Sequence, residues 1–373
     1  MNTDLKDGSS GVRLVPEDRG FFESMAIDQL MTSLRLPGVL EIFGYPDLHP
    51  GKGLAVGSTV VTENWVYPYL IGGDIGCGMG FWKTDLKRRK AKLDKMTKCL
   101  SGLEQADESM VEIEIPFADA MGTIGGGNHF AEIQEVESIF DEDRFAAVGL
   151  TKGELCLLVH SGSRGFGNMI LNQHTRAFRD GGFEYGDEKC DAYLKRHDEA
   201  VEWARRNRST IAARVGAILN LDVELISDAP HNLIEAKEVS GKRLWIHRKG
   251  AAVADRGMLM IAGSRGTLSY LVEPIDDCRN WGWSVSHGAG RKWQRSESYA
   301  RMRERFRKEQ LQQTDSGGRV ICDDKRLLFE EAPQAFKNID VVVGHLEEAG
   351  LIRRIAAFQP LISYKVRKEG RRK

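Results

Sequence analysis

Residues 155–167 read LCLLVHSGSRGFG. Five apolar residues, 155–159, lead into His160, and a turn of small and polar residues follows. A short apolar run closed by glycine reads as a buried strand. This one ends in a loop carrying an imidazole and a guanidinium. The same grammar recurs along the chain. Val39–Phe43 precedes PDLHPGKG at 46–53, Leu244–His247 precedes RKG, and Met258–Ala262 precedes GSRGT. Helical spacing lies between these runs. It is longest over 187–219, where Tyr193, Leu194, Val201, Ala204, Ile211, Val215 and Ile218 recur at helical intervals. Residues 22–34, 297–310 and 346–357 read as further helices. Strands mixed with helices, without strict alternation, predict an α+β fold of mixed β-sheets flanked by helices.

The chain has 373 residues, 41% of them apolar, enough for a substantial core. Neither a repeat nor a Pro/Ser-rich linker divides it, so one large domain is expected. No apolar run approaches the roughly 18 residues of a membrane span. The N-terminus is polar and lacks a signal-peptide core. Six cysteines stand at 77, 99, 156, 190, 278 and 322 with no C-x-x-C pair. That excludes the usual disulfide framework and zinc knuckle. A reduced, cytoplasmic protein is expected, with no membrane contact. The net charge of −1 hides segregation. Residues 83–98 and 291–308 each carry eight Lys/Arg against two acids, and 365–373 carry six against one. Basic faces on a neutral chain suit a polyanion, although solvated helix faces give the same pattern.

Of nine histidines, six sit in or beside glycine turns: His49, His129, His160, His231, His247 and His287. One such residue is ordinarily a core or surface histidine, but six in one pattern point to a site. Asp74 and Cys77, in GGDIGCGMG, add a carboxylate and a thiol. Oxygen, sulfur and nitrogen donors together suit a transition ion such as Mn, Fe, Co or Zn, not calcium. GGGNHF, HSGSRG, AGSRGT and HGAGR present backbone N–H groups beside Asn, Ser or Arg, as phosphate-binding nests do. No Walker motif or dinucleotide fingerprint is present.

In order, PDLHPGKG, GGDIGCGMG, GTIGGGNHFAEIQ, HSGSRGFG, HN, HRKGA, GSRGTLSY and HGAGR resemble the motifs of the RtcB family of RNA ligases. The likeness runs from about residue 37 to 365. It implies an N-terminal segment 1–36, then a catalytic domain 37–373 built around a deep metal-binding cleft. It implies metal ligands at Asp74, Cys77, His129, His160 and His231, with Cys77 bridging two Mn2+ ions. It implies that His287 carries GMP from GTP. Asn128 and Asn232 fall on phosphate contacts, and Glu132 and Lys365 on guanine contacts. Phe336 falls on the aromatic beside the base. Ser264, Gly288, Ala289, Gly290 and Arg291 complete the nucleotide contacts.

The reaction so implied joins an RNA 3′-phosphate or 2′,3′-cyclic phosphate end to a 5′-hydroxyl end, in RNA repair or tRNA splicing. The partners are RNA and GTP, with room for an activator protein, and a monomer is expected. This is a divergent, short-form pattern. Gly76 and Gly80 stand where the family usually has Asn and Arg. Ser286 replaces a Cys, Arg265 a Met and Phe336 a Tyr. Two other readings of the same residues are a metal phosphodiesterase that opens cyclic phosphates without joining, and a non-catalytic RNA-binding relative.

Overall fold

The computed structural model describes residues 11–105, 116–178 and 181–366. The basic tail noted above falls, from residue 367 on, outside the described residues. Two sheets dominate. The larger runs in the order Leu259–Ile261, Ser269–Pro274, Ile352–Val366, Phe130–Ile139, Glu154–Ser161, Gly78–Lys87, Val223–Pro230, and Arg319–Cys322 pairs in parallel with Ile352–Val366. The smaller runs Gly11–Leu14, Val39–His49, Val56–Glu63, Lys242–Lys249, Asn232–Val239. The mixture of sheets and helices is the expected α+β class.

Register is what positions the site. Four strands of the larger sheet have ends at one edge, with Gly78 opposite both Ser161 and Pro230, and Phe130 opposite His160. Cys77, His129 and His231 therefore stand one residue beyond a strand end, next to His160. Antiparallel pairing brings together side chains that are far apart in sequence.

The long helix Glu188–Leu219 covers this sheet. The Asp187 carboxylate caps its start by accepting from Lys189 N, and Asn220 ends it in the left-handed region at φ 55°. Tyr193, Ala204, Ile211 and Val215 are buried, while Leu194, Val201 and Ile218 are only half-buried. The helical pattern does not show that the helix also buries polar residues, among them Asn207 and Arg208. Asn207 accepts from Gly122 N and donates to the Ser161 hydroxyl. Arg208 donates to the carbonyls of Gly76 (2.8 Å) and Ser161 (2.9 Å), and pairs with Asp228.

Two helix expectations need correction. Residues 346–357 are not a helix. The helix Ile339–Glu348 stops before Gly350, which takes φ 70°, and Ile352–Val366 is a strand. Ile355–Phe358 are buried on both faces, and a continuous apolar run carries no period that separates helix from strand. Residues 297–310 are not one helix: Arg295–Arg305 is α-helical, and a separate 3-10 turn begins at Glu309. Among the described residues, no helix is long and apolar enough to cross a membrane.

Arg208→Ala would leave Asp228 buried without its cation and two carbonyls without a donor. A loss of about 3–5 kcal/mol in urea unfolding is expected. A loss below about 1 kcal/mol would show that the clamp contributes little to the fold.

Candidate active site

The donor atoms at the sheet edge converge. Cys77 Sγ lies 3.3 Å from His129 Nε2 and 3.2 Å from His160 Nε2. His160 Nε2 lies 3.3 Å from His231 Nε2, and His129 Nε2 lies 2.8 Å from Asp74 Oδ2. Neighbouring imidazole nitrogens facing one another gain little unless a cation sits among their lone pairs. His231 Nδ1 is buried and has no hydrogen-bond partner. Burial pushes His160 and His231 well below the usual histidine range, so both are neutral and offer lone pairs. Burial, with Asp74 beside it, pushes the Cys77 thiol up. A bound cation reverses that preference, because a coordinating thiol is deprotonated. The residues present therefore fit a transition ion, and Cys77, His129 and His160 form its tightest donor group.

Local backbone explains two of the family departures. Gly76 takes φ 73°, and a Cβ there would stand 2.7 Å from Val201 Cα in the long helix. At Gly80 a Cβ would meet the Trp82 ring at 2.3 Å. That indole fills the space a larger side chain would need.

Beside the donor cluster stands His287, with its ring centroid 4.6 Å from that of His231. Its Nδ1 donates to Asp47 Oδ2 at 2.7 Å, and its backbone N donates to the same oxygen at 3.2 Å. A carboxylate only accepts, so the proton sits on Nδ1 and Nε2 keeps a lone pair. Asp47 is fully buried. Lys337 holds its loop by donating to the carbonyls of Pro46 and Leu48, on either side of it. Gly290, at φ 69°, lets the HGAGR turn approach, since a Cβ there would lie 2.2 Å from the Asp47 carbonyl.

One cavity is lined by every residue the sequence reading assigned, His129 excepted, and His129 touches it through Cys77. Glu132 lies farther along strand Phe130–Ile139 than the Phe130–His160 pair, opposite Leu158. Burial raises its pKa, and Ser363 and Gln134 donate to its two oxygens. Nearby, Glu331 pairs with Arg291 (2.9 Å) and Lys365 (3.5 Å), and the Arg291 guanidinium lies 5.0 Å over the Phe336 ring. Asn232 accepts from Gly250 N and donates to the Asp74 carbonyl.

Asp47, Glu331 and Lys249 carry no role in the sequence motifs, although Glu331 and Lys249 line the cavity. Asp47 was in view within PDLHPGKG, but no spacing shows that it meets a histidine 240 positions away. His247, grouped with the glycine-turn histidines, belongs to the core. Its Nε2 accepts from Tyr67 N, and burial lowers its pKa to about 3.

The chain is similar to known proteins of one family. A profile of the family described as tRNA-splicing ligase RtcB matches residues 29–112 and 103–366. The chain is 42% identical to RNA-splicing ligase RtcB2 of Escherichia coli over 373 residues, covering 98% of each protein. It is 26% identical to the tRNA-splicing ligase RtcB of Thermococcus kodakarensis, over 91% of this chain and 90% of that one. It is 25% identical to the RNA-splicing ligase RtcB of Mycobacterium tuberculosis, over 89% and 99%.

Cys77→Ala removes the donor that touches two imidazoles. Titrated with cobalt(II), the variant is expected to bind less metal per chain and to lack the near-ultraviolet sulfur-to-cobalt band. Full cobalt binding with that band intact would exclude Cys77 as a ligand.

Proposed function

The chain belongs to the RtcB family and is an RNA ligase, and from that premise we propose that it joins RNA 3′-phosphate ends to 5′-hydroxyl ends through a GMP carried on His287. The observation that carries the reading is the Asp47–His287 pair. A buried carboxylate fixes the proton on Nδ1 and leaves Nε2 as the nucleophile, beside a cluster of metal donors.

In this reading Asp74, Cys77, His129, His160 and His231 hold Mn2+, two ions per site. The ions supply neutralising charge for phosphate oxygens. His287 Nε2 attacks the α-phosphorus of GTP. A P–N bond forms, the bond to the bridging oxygen breaks, and pyrophosphate leaves. Asp47 stabilises the charge that develops on the imidazole. An oxygen of the RNA 3′-phosphate, released by water from a 2′,3′-cyclic phosphate where necessary, then attacks the same phosphorus. The P–N bond breaks and the imidazole returns to neutral. Finally the 5′-hydroxyl attacks the activated 3′-phosphate, loses its proton, and GMP departs. Phosphate transfer in two activated steps avoids expelling a poor leaving group from a monoester.

Asn128, Asn232, Ser264, Gly288, Ala289, Gly290 and Arg291 would contact the nucleotide phosphates and sugar. At the other end, Glu132 would accept from guanine N1–H and the 2-amino group. Each of its oxygens has a lone pair beyond those used by Ser363 and Gln134. Lys365 would lie at the base, and Phe336 would supply the face against it.

The two basic runs differ in position. Strand Gly78–Lys87 starts at the metal cluster, so Arg88–Lys90 lie about 30 Å along it. Lys87 and Arg88 there pair with Glu154 and Glu135. By contrast Arg291 and Arg295 line the cavity, and helix Arg295–Arg305 continues outward with Arg301, Arg303 and Arg305 exposed. The RNA backbone is therefore proposed to approach along this helix.

Intact-protein mass spectrometry after incubation with GTP and Mn2+ is expected to show one added guanylyl group. His287→Ala should abolish it with metal content unchanged, and Asp47→Asn should slow it by about 100-fold or more. Labelling of the His287→Ala protein at another residue would sink the assignment. For the RNA path, Arg303→Ala with Arg305→Ala should weaken single-stranded RNA binding and flatten its salt slope by about 0.7 per lost contact. An unchanged slope would place the RNA elsewhere.

A further inference from the structure

Arg265 is a cation buried in the wall of the cavity with part of its fork unused. It is 4% exposed and stands in the GSRGT turn after strand Leu259–Ile261. Its Nη2 donates to the Leu328 carbonyl at 2.7 Å. Its Nη1, which carries two N–H groups, is buried and meets no acceptor. Its turn is tied to Glu132 through one amide: Gln134 Nε2 donates to Glu132 Oε2 and to Ser269 Oγ, which also accepts from Gly263 N. Glu132 accepts from Ser363 and Gln134, and Glu331 pairs with Arg291 and Lys365, although its Oε2 accepts no hydrogen bond. Burial lowers the Arg265 pKa to about 10, so it keeps its charge at neutral pH.

A desolvated guanidinium with free donors is costly unless something bound in the cavity supplies acceptors. The end of the cavity in which it lies narrows the choice. Glu132 accepts, and so suits the edge of guanine that carries N1–H and the 2-amino group. The adjoining edge of the same base presents two acceptors, N7 and O6, and an arginine fork is the side chain that matches them. Adenine offers N7 beside a 6-amino donor, which a guanidinium opposes.

We propose that Arg265 is a specificity-determining residue that reads the N7/O6 edge of guanine, beside the edge read by Glu132. The proposal rests on the reading of the cavity as a GTP site. It gives this chain a second filter against adenine. It also gives a use to a side chain that replaces the methionine usual at this position in the family.

The test is equilibrium binding of GDP, 7-deaza-GDP and IDP by titration calorimetry, in the wild type, Arg265→Met and Arg265→Lys, with Mn2+ present throughout. 7-Deaza-GDP replaces N7 by C–H, and IDP lacks only the 2-amino group. The wild type is expected to bind 7-deaza-GDP about tenfold or more weakly than GDP. In Arg265→Met, GDP binding should weaken and the ratio of the two should fall to near one. The IDP penalty, which belongs to Glu132, should be the same in both. Arg265→Lys should keep part of the GDP affinity, because it retains the charge without the fork. Equal binding of GDP and 7-deaza-GDP by the wild type would overturn the proposal without any variant. So would an Arg265→Met protein that loses affinity for both equally, since that is a structural effect. If GTP labels His287 while the wild type ignores the N7 change, the GTP reading stands and the Arg265 assignment alone fails. If no guanine nucleotide binds or labels the protein, both fail together.

Discussion

Under the sheet edge one guanidinium joins the pieces that carry the chemistry. Arg208 reaches from the long helix to the carbonyl of Gly76, next to Cys77, and to that of Ser161, next to His160. Its other nitrogens pair with Asp228 on the strand that leads to His231. Three ligand-bearing segments from distant parts of the chain are thus tied to one rigid helix. Loops alone would not hold four donor atoms in a chain of contacts at 3.2–3.3 Å, because each imidazole left facing another lone pair pushes outward. The arrangement persists because the strands beneath are in register and their ends are fastened from behind. A metal site needs such support as much as it needs its ligands.

The cavity has two chemically distinct ends. At one, neutral imidazoles and a thiol face a carboxylate, a set suited to a cation and to the phosphates a cation attracts. At the other, Glu132 and Glu331 stand among Arg265, Arg291 and Lys365. Burial works against the Glu331 carboxylate, but Lys365 and Arg291 outweigh it and hold the group below its usual range. Burial raises Glu132, whose partners are a hydroxyl and an amide. One end therefore suits charge, and the other, in the proposed reading, would recognise the pattern of donors and acceptors on a base. His287 stands next to the cation end, held by Asp47, where the proposed nucleophile would meet an α-phosphorus.

The family departures are not scattered at random over this plan. Gly76 and Gly80 lie where the long helix and the Trp82 ring come too close for a side chain. They adjust packing behind the ligands and leave the ligands in place. Arg265 and Phe336 line the cavity with Glu132 and Glu331. There the ring at Phe336 keeps its cation contact with Arg291 without a phenolic hydroxyl.

Much of this was legible in the sequence because glycine turns after apolar runs are local signals. They marked the strand ends, the histidines and the HGAGR turn, and the ordered motifs identified the family. The long helix was legible for the same reason, since its period repeats over many turns. Strand Ile352–Val366 was not, because a run buried on both faces has no period to read. Nor were Asp47, Arg208 and Glu331, whose roles depend on partners brought near only by folding. Sequence alone determined which residue types sit at the turns, since turn chemistry is local and glycine is required by the backbone. Only the tertiary structure decided which carboxylate orients His287, which histidine belongs to the core, and which arginine is left with free donors. Those are matters of distance and desolvation, and both arise when strand register and helix packing bring remote residues into the same dry space.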